Sequence, residues 1–192
     1  MIAAAGLVRP VIVAWSYAGR VALEYLQLAG VEAIAGLVLV AGTSTADPAY
    51  FGTAAPLLRR MAAAKDMAEN REATREFLRR CVAQPLPAAE LEFMLAYNLK
   101  VPPEVRAAME GRPAPYQALL AALHVPVLAI HGSEDGISLP AMAHYTARTC
   151  PNARAVIYEG IGHTPFWEAP ERFNADLTAF LEALPGSAGA QG

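Results

Sequence analysis

Val11-Ile12-Val13-Ala14-Trp15, followed at once by Ser16-Tyr17-Ala18-Gly19, is the stretch that decides the fold. Its first five residues are apolar without alternation and rich in β-branching, which suits a parallel strand covered by helices on both faces. From Ala18 the spacing changes. Val21, Ala22, Tyr25, Leu28 and Ala29 recur at helical intervals, Leu23 and Leu26 widen that face, and Gly30 follows as a C′ residue. A second apolar run over 35–41 ends in Gly42-Thr43-Ser44. Strand, helix and strand within about 30 residues make a βαβ unit with a right-handed crossover.

Beyond this unit the chain changes character. Residues 47–114 lack strand runs and read as short helices separated by Pro85, Pro87, Pro102, Pro103 and Pro113. Phe77, Leu78, Cys81 and Val82 mark one apolar face there, and Leu91, Met94, Leu95 and Leu99 another. The α/β pattern returns with a helix over 116–123 and a third buried strand over 125–130. A helix over 141–149, a fourth strand over 153–158 and a final helix over 170–184 follow, the last with Phe173, Leu177, Phe180 and Leu181 on one face. The expected organisation is a core from 1–46 and 115–184, a helical insertion at 47–114, and a disordered tail at 185–192.

Composition excludes several functions. With 55% apolar and 17% charged residues the chain is not intrinsically disordered. A net charge of −3 gives no electrostatic support for a nucleic-acid partner, and Arg59-Arg60 and Arg79-Arg80 read as solvated helix faces. Two cysteines, Cys81 and Cys150, make neither a disulfide framework nor a metal cluster. Cys81 falls on an apolar helix face and reads as core; Cys150 precedes Pro151 at what reads as a surface turn. No apolar run approaches the roughly 18 to 20 residues of a membrane span. Arg9-Pro10 interrupts the apolar N-terminus, and no basic residue precedes it, unlike a signal peptide. A cytoplasmic globular protein is expected, with no membrane partner.

The chemistry gathers where strands end. Ser16 occupies a sharp strand-to-helix turn, where a nucleophile requires small residues two positions away on either side; here these are Ala14 and Ala18, with Gly19 adjacent. A small polar residue in that place also serves as an ordinary helix cap. Asp135 lies just past the third strand in His131-Gly132-Ser133-Glu134-Asp135, and His163 just past the fourth. Parallel strands bring their C-terminal ends to one edge, so Ser16, Asp135 and His163 share it, in the chain order serine, acid, histidine. Glu134 competes with Asp135 as the acid. His131, His124 and His144 read as structural or surface residues.

These segments resemble the α/β-hydrolase superfamily over nearly the whole chain. The resemblance rests on residues 11–19, on 126–140 with Asp135 in the acid position, and on 160–180 with Gly162-His163 as the base. It implies a mostly parallel α/β sheet with flanking helices, and 47–114 as a helical cap that shapes the substrate pocket. It also implies Ser16 as nucleophile, His163 as base and Asp135 as its orienting acid. The Tyr17 backbone N–H would serve as an oxyanion donor, and Trp15 as a substrate contact. The implied reaction is hydrolysis of a small-molecule, ester-like bond with no metal or cofactor. A serine at the elbow argues against the branches that use aspartate there, the epoxide hydrolases and dehalogenases. Esterase, lactonase, thioesterase, carbon–carbon hydrolase and perhydrolase chemistries stay open.

One departure bears on activity. The superfamily sheet begins with strands before the elbow, whereas residues 1–8 read as the last turns of a helix capped by Gly6. The expected fold is therefore N-terminally truncated, without the loop that supplies a second oxyanion donor. Its nucleophile strand would be an apolar edge open to self-association. The alternative reading is a truncated or decayed hydrolase fragment that turns nothing over.

Overall fold

The computed structural model describes residues 2–185. The expected tail, apart from Pro185, lies outside the described residues. Four strands form one wholly parallel sheet in the order β1 (Val11–Trp15), β2 (Gly36–Val40), β3 (Val127–Gly132) and β4 (Ala153–Tyr158). Trp15 pairs with Val40, Val40 with Ile130, and Ile130 with Val156, so the C-terminal ends line one edge.

The near-continuous apolar strands need cover on both faces; β2 and β3 receive it in full, whereas β1 leaves Val13 and Trp15 partly exposed. On one face α1 (Ala18–Ala29), α6 (Gln117–Ala121) and α7 (Ala141–Thr149) close over Ala14, Leu37, Leu39 and Val127. On the other, α8 (Pro165–Glu168) and α9 (Pro170–Glu182) bring Phe166, Phe173 and Phe180 onto Val38, Val40, Leu128 and Ile130. Each of these fully buried aliphatic side chains contributes on the order of 1.5–3 kcal/mol.

Between β2 and β3 run α2 (Pro56–Ala62), α3 (Met67–Arg80), α4 (Ala88–Asn98) and α5 (Pro103–Met109). Leu78, Leu91, Met94 and Leu95 give these helices a small core of their own. Ala54, Cys81 and Ile137 form a second cluster that ties them to the loop after β3.

Several expectations shift. In α1 the buried side chains are Ala22, Leu23 and Leu26, whereas Val21 is 58% and Leu28 88% exposed. Among the described residues β1 is the edge of the sheet, and no strand lies beneath the far side of α1. β3 starts at Val127 instead of 125 because Pro126 has no N–H for the ladder, and it runs on until His131 and Gly132 pair with Ile157 and Tyr158. α6 is shorter than the expected 116–123. α9 ends at Glu182 with Leu181 exposed, and Leu184 takes its place against Phe180's cluster. Residues 3–5 form a single 3-10 turn, closed by Gly6 in the left-handed region. Cys150 is buried, not a surface residue, because α7 ends against the sheet beside Ala153. No helix among the described residues is long and apolar enough to cross a membrane.

Candidate active site

Ser16 and Tyr17 are the two residues between β1 and α1, and Ser16 turns the chain with φ at 54°. A non-glycine residue in the left-handed region costs on the order of 1–2 kcal/mol. Three backbone bonds hold it there: Ser16 N–H donates to the Val40 carbonyl (2.9 Å), and the Ser16 carbonyl accepts from Gly19 and Thr43 N–H (each 3.0 Å). The close backbone approach falls at Gly19 instead of Ala18. A Cβ on Gly19 would stand 2.9 Å from the Thr43 carbonyl oxygen, while Ala18 is exposed. The small residue the turn requires is thus displaced by one position from the usual spacing. Ser16 itself is half-buried.

His163 comes from the loop between β4 and α8. Its Nε2 lies 2.8 Å from Ser16 Oγ, and its Nδ1 2.7 Å from Asp135 Oδ2. A carboxylate oxygen only accepts, so Nδ1 carries the hydrogen and Nε2 presents its lone pair to the serine hydroxyl. Asp135 is buried near the start of the loop after β3, and its Oδ1 accepts from the N–H groups of Ile137 (2.8 Å) and Ser138 (3.1 Å). Burial pushes its pKa up, but hydrogen bonds from His131 and His163 outweigh that and bring it down to about 2. Glu134 is exposed, and its carboxylate accepts from Ser133 Oγ (3.3 Å).

The histidine loop is fastened at several points. His163 N–H donates to the Cys81 carbonyl (2.7 Å), and the His163 carbonyl accepts from Trp15 Nε1–H (2.9 Å). The Glu168 carboxylate accepts from the N–H of Ala83 (2.7 Å), Gly162 (3.1 Å) and Thr164 (3.3 Å), and from Thr164 Oγ1–H (2.9 Å). It therefore staples this loop to the segment after α3. Gly132 at the end of β3 lies against the same loop; a Cβ there would be 2.1 Å from the carbonyl oxygens of Ile161 and Gly162.

Trp15 thus meets His163 directly, its ring centroid 5.7 Å from that of His163 at a tilt and 5.2 Å from that of Phe166 edge-on. The Tyr17 N–H has no hydrogen-bond partner among the described residues and sits at the N-terminus of α1. Tyr17 Oη donates to the Met109 carbonyl (3.4 Å), which brings the end of α5 over the elbow.

Sequence reasoning passed over Glu168 and the contact of His131 with Asp135. The spacing of His131, four residues before Asp135, was the available signal for the latter. His124 and His144 are exposed. Burial pushes the Cys81 thiol well up and Cys150 up to about 12. Among the described residues no group of three or more His, Cys, Asp or Glu side chains could hold a metal ion.

Residues 2–176 match the profile of the alpha/beta hydrolase family. A pimeloyl-[acyl-carrier protein] methyl ester esterase of Neisseria meningitidis serogroup A is 31% identical over 182 residues, covering 90% of this chain and 57% of that protein. The serogroup B counterpart is 32% identical over 180 residues, covering 89% and 68%. Among solved structures, an esterase from a Rhodococcus species superposes with a TM-score of 0.88 at 29% identity, covering 96% of this chain and 69% of the other. The chain therefore spans between about half and seven-tenths of the length of these relatives.

Proposed function

For a chain that belongs to the alpha/beta hydrolase family, we propose hydrolysis of a carboxylic ester of a small molecule, through an acyl-enzyme on Ser16. The observation that carries this reading is the unbroken line from Ser16 Oγ through His163 to Asp135, with contacts of 2.8 and 2.7 Å. The named relatives are esterases, and the same bond class is proposed here.

Ser16 Oγ attacks the ester carbonyl carbon as its proton passes to His163 Nε2. The resulting imidazolium faces a carboxylate that stays ionised, since Asp135 is held at about 2. Charge developing on the carbonyl oxygen is met by the free Tyr17 N–H at the start of α1, where the helix dipole favours an anion. Collapse breaks the bond to the leaving alcohol, which takes the Nε2 proton. Water then enters, gives a proton to His163, attacks the acyl carbon and releases the acid, and Ser16 regains its proton. No step requires a metal or cofactor. The helical segment 47–114 is proposed as the cap over the substrate, supported by the contact of Tyr17 with Met109. Two unpaired thiols suit a reducing compartment, and the cytoplasm is the proposed location.

A fluorophosphonate probe with intact-mass readout tests this reading. One adduct on the wild type and none on Ser16→Ala supports it, with hydrolysis of p-nitrophenyl acyl esters as the second readout. A folded wild type that takes no label overturns it in favour of a catalytically silent fragment.

A further inference from the structure

Two imidazoles, not one, meet the Asp135 carboxylate. Besides His163, the buried His131 places its Nε2 3.2 Å from Asp135 Oδ2, 2.9 Å from the Ser138 carbonyl and 3.1 Å from Ser138 Oγ. The Ser138 carbonyl can only accept, so His131 Nε2 carries a hydrogen, and that hydrogen is shared with Asp135. Oδ1 is already satisfied by the Ile137 and Ser138 N–H groups, and Oδ2 is the oxygen on which His163 depends. Ser138 Oγ also lies 3.2 Å from the carbonyl of Ala41, the residue after β2, and 3.4 Å from Oδ2. The Val40 carbonyl just before Ala41 holds the Ser16 N–H. His131 and Ser138 therefore connect the acid to the strand end on which the nucleophile turn hangs.

We propose that His131 is a positioning residue for this site: its Nε2–H fixes the Asp135 carboxylate and takes up part of the charge on Oδ2, and so sets how firmly His163 holds a proton. The proposal rests on the reading of Ser16, His163 and Asp135 as the reacting groups. A donor on Oδ2 weakens the attraction of that oxygen for an imidazolium at His163; without it, Oδ2 leans on His163 alone and the base holds its proton to higher pH. An apolar side chain would fill the same space, but would leave the Ser138 carbonyl without this donor and the carboxylate free to turn. Three other ionisable groups face or flank the pair. Cys81 is a buried thiol kept protonated, Glu168 is bonded to the Gly162 and Thr164 N–H groups, and Glu134 is exposed. All three are common to the variants below and cancel in the comparison.

The test has two parts. Nitrogen-15 NMR of the wild type reads the His131 tautomer without any turnover: a protonated Nε2 is expected, and an unprotonated one overturns the proposal. The rate of fluorophosphonate labelling is then measured against pH, so that only folded, reactive sites count. His131→Leu is expected to move the acid limb up by about half a pH unit or more and to lower the plateau roughly tenfold. His131→Gln, which returns an N–H to the same region, brings the limb back. A merely structural role lowers the amount of labelled protein and leaves the limb in place, and an unmoved limb in His131→Leu overturns the proposal. Should that variant fail to fold, a wild-type limb in His131→Gln together with the protonated tautomer supports it, and a limb displaced in His131→Gln overturns it. A wild type that takes no label at all sinks the reading of Ser16 itself, which differs from wild type and variants labelling along one profile.

Discussion

Trp15 donates its indole Nε1–H to the carbonyl of His163 at 2.9 Å, so the residue before the proposed nucleophile holds the backbone of the proposed base. The two are 148 positions apart in sequence, and this bond spans the gap between β1 and the loop after β4.

Trp15→Phe keeps an aromatic ring against Phe166 and removes the indole donor. One lost hydrogen bond of about 1 kcal/mol lowers kcat on a p-nitrophenyl ester roughly five- to tenfold, with KM unchanged. A change confined to KM would instead make Trp15 a substrate contact.

At Ser16 the left-handed backbone sets stability against chemistry. Ser16→Ala keeps the strain and Ser16→Gly removes it; both abolish labelling. In urea unfolding Ser16→Gly is expected to be more stable than Ser16→Ala by about 1 kcal/mol.

Asp135 makes stability depend on acid. Its folded value of about 2 lies below the ordinary 3.8, so the ionised carboxylate stabilises the fold fully at pH values above about 4. That contribution, about 2 kcal/mol, is lost as pH falls from about 4 through 2. The unfolding free energy of the wild type should show this slope, and that of Asp135→Asn should lack it. A parallel slope in the two proteins would contradict the assignment.

Gly132→Ala puts a methyl group into the carbonyls of Ile161 and Gly162. Either the histidine loop moves or the end of β3 gives way. Labelling is expected to fall by at least a hundredfold, with a loss of several kcal/mol in stability. Circular dichroism and urea unfolding separate the two effects.

Native Cys81 and Cys150 should resist iodoacetamide near neutral pH, because both thiols are buried and pushed up. Alkylation should appear only on unfolding, as two additions by intact mass.

Much of the frame was legible because parallel strands and buried helices leave strong periodic signals. The runs for β1, α1, α7 and β4 were read with the bounds they have in the structure. Reading failed where long-range geometry decides. Nothing local to Val21 or Leu28 tells that α1 overhangs the edge of a sheet, and Pro151 after Cys150 looks like a surface turn until α7 is seen docking on β4. The strand-end logic brought Ser16, Asp135 and His163 to one edge. It could not show that Glu168, at the end of α8, collects four donors around His163, nor that His131, within β3, shares the Asp135 carboxylate. Those contacts depend on side-chain directions across loops, which no periodicity encodes.

β1 pairs only with β2 among the described residues, and it carries Val13, 49% exposed, as well as the turn at Ser16. Edge strands are the first part of a sheet to fray. The oxygen proposed to attack thus hangs from an easily loosened rung, while the proposed acid follows the interior strand β3 and the proposed base follows β4 at the opposite edge. Thermal inactivation should then precede thermal unfolding. Reactivity would be lost by local melting of five residues while β2, β3 and their aromatic cover remain folded, and hydrogen exchange at the Ser16 amide would mark the working lifetime of the protein.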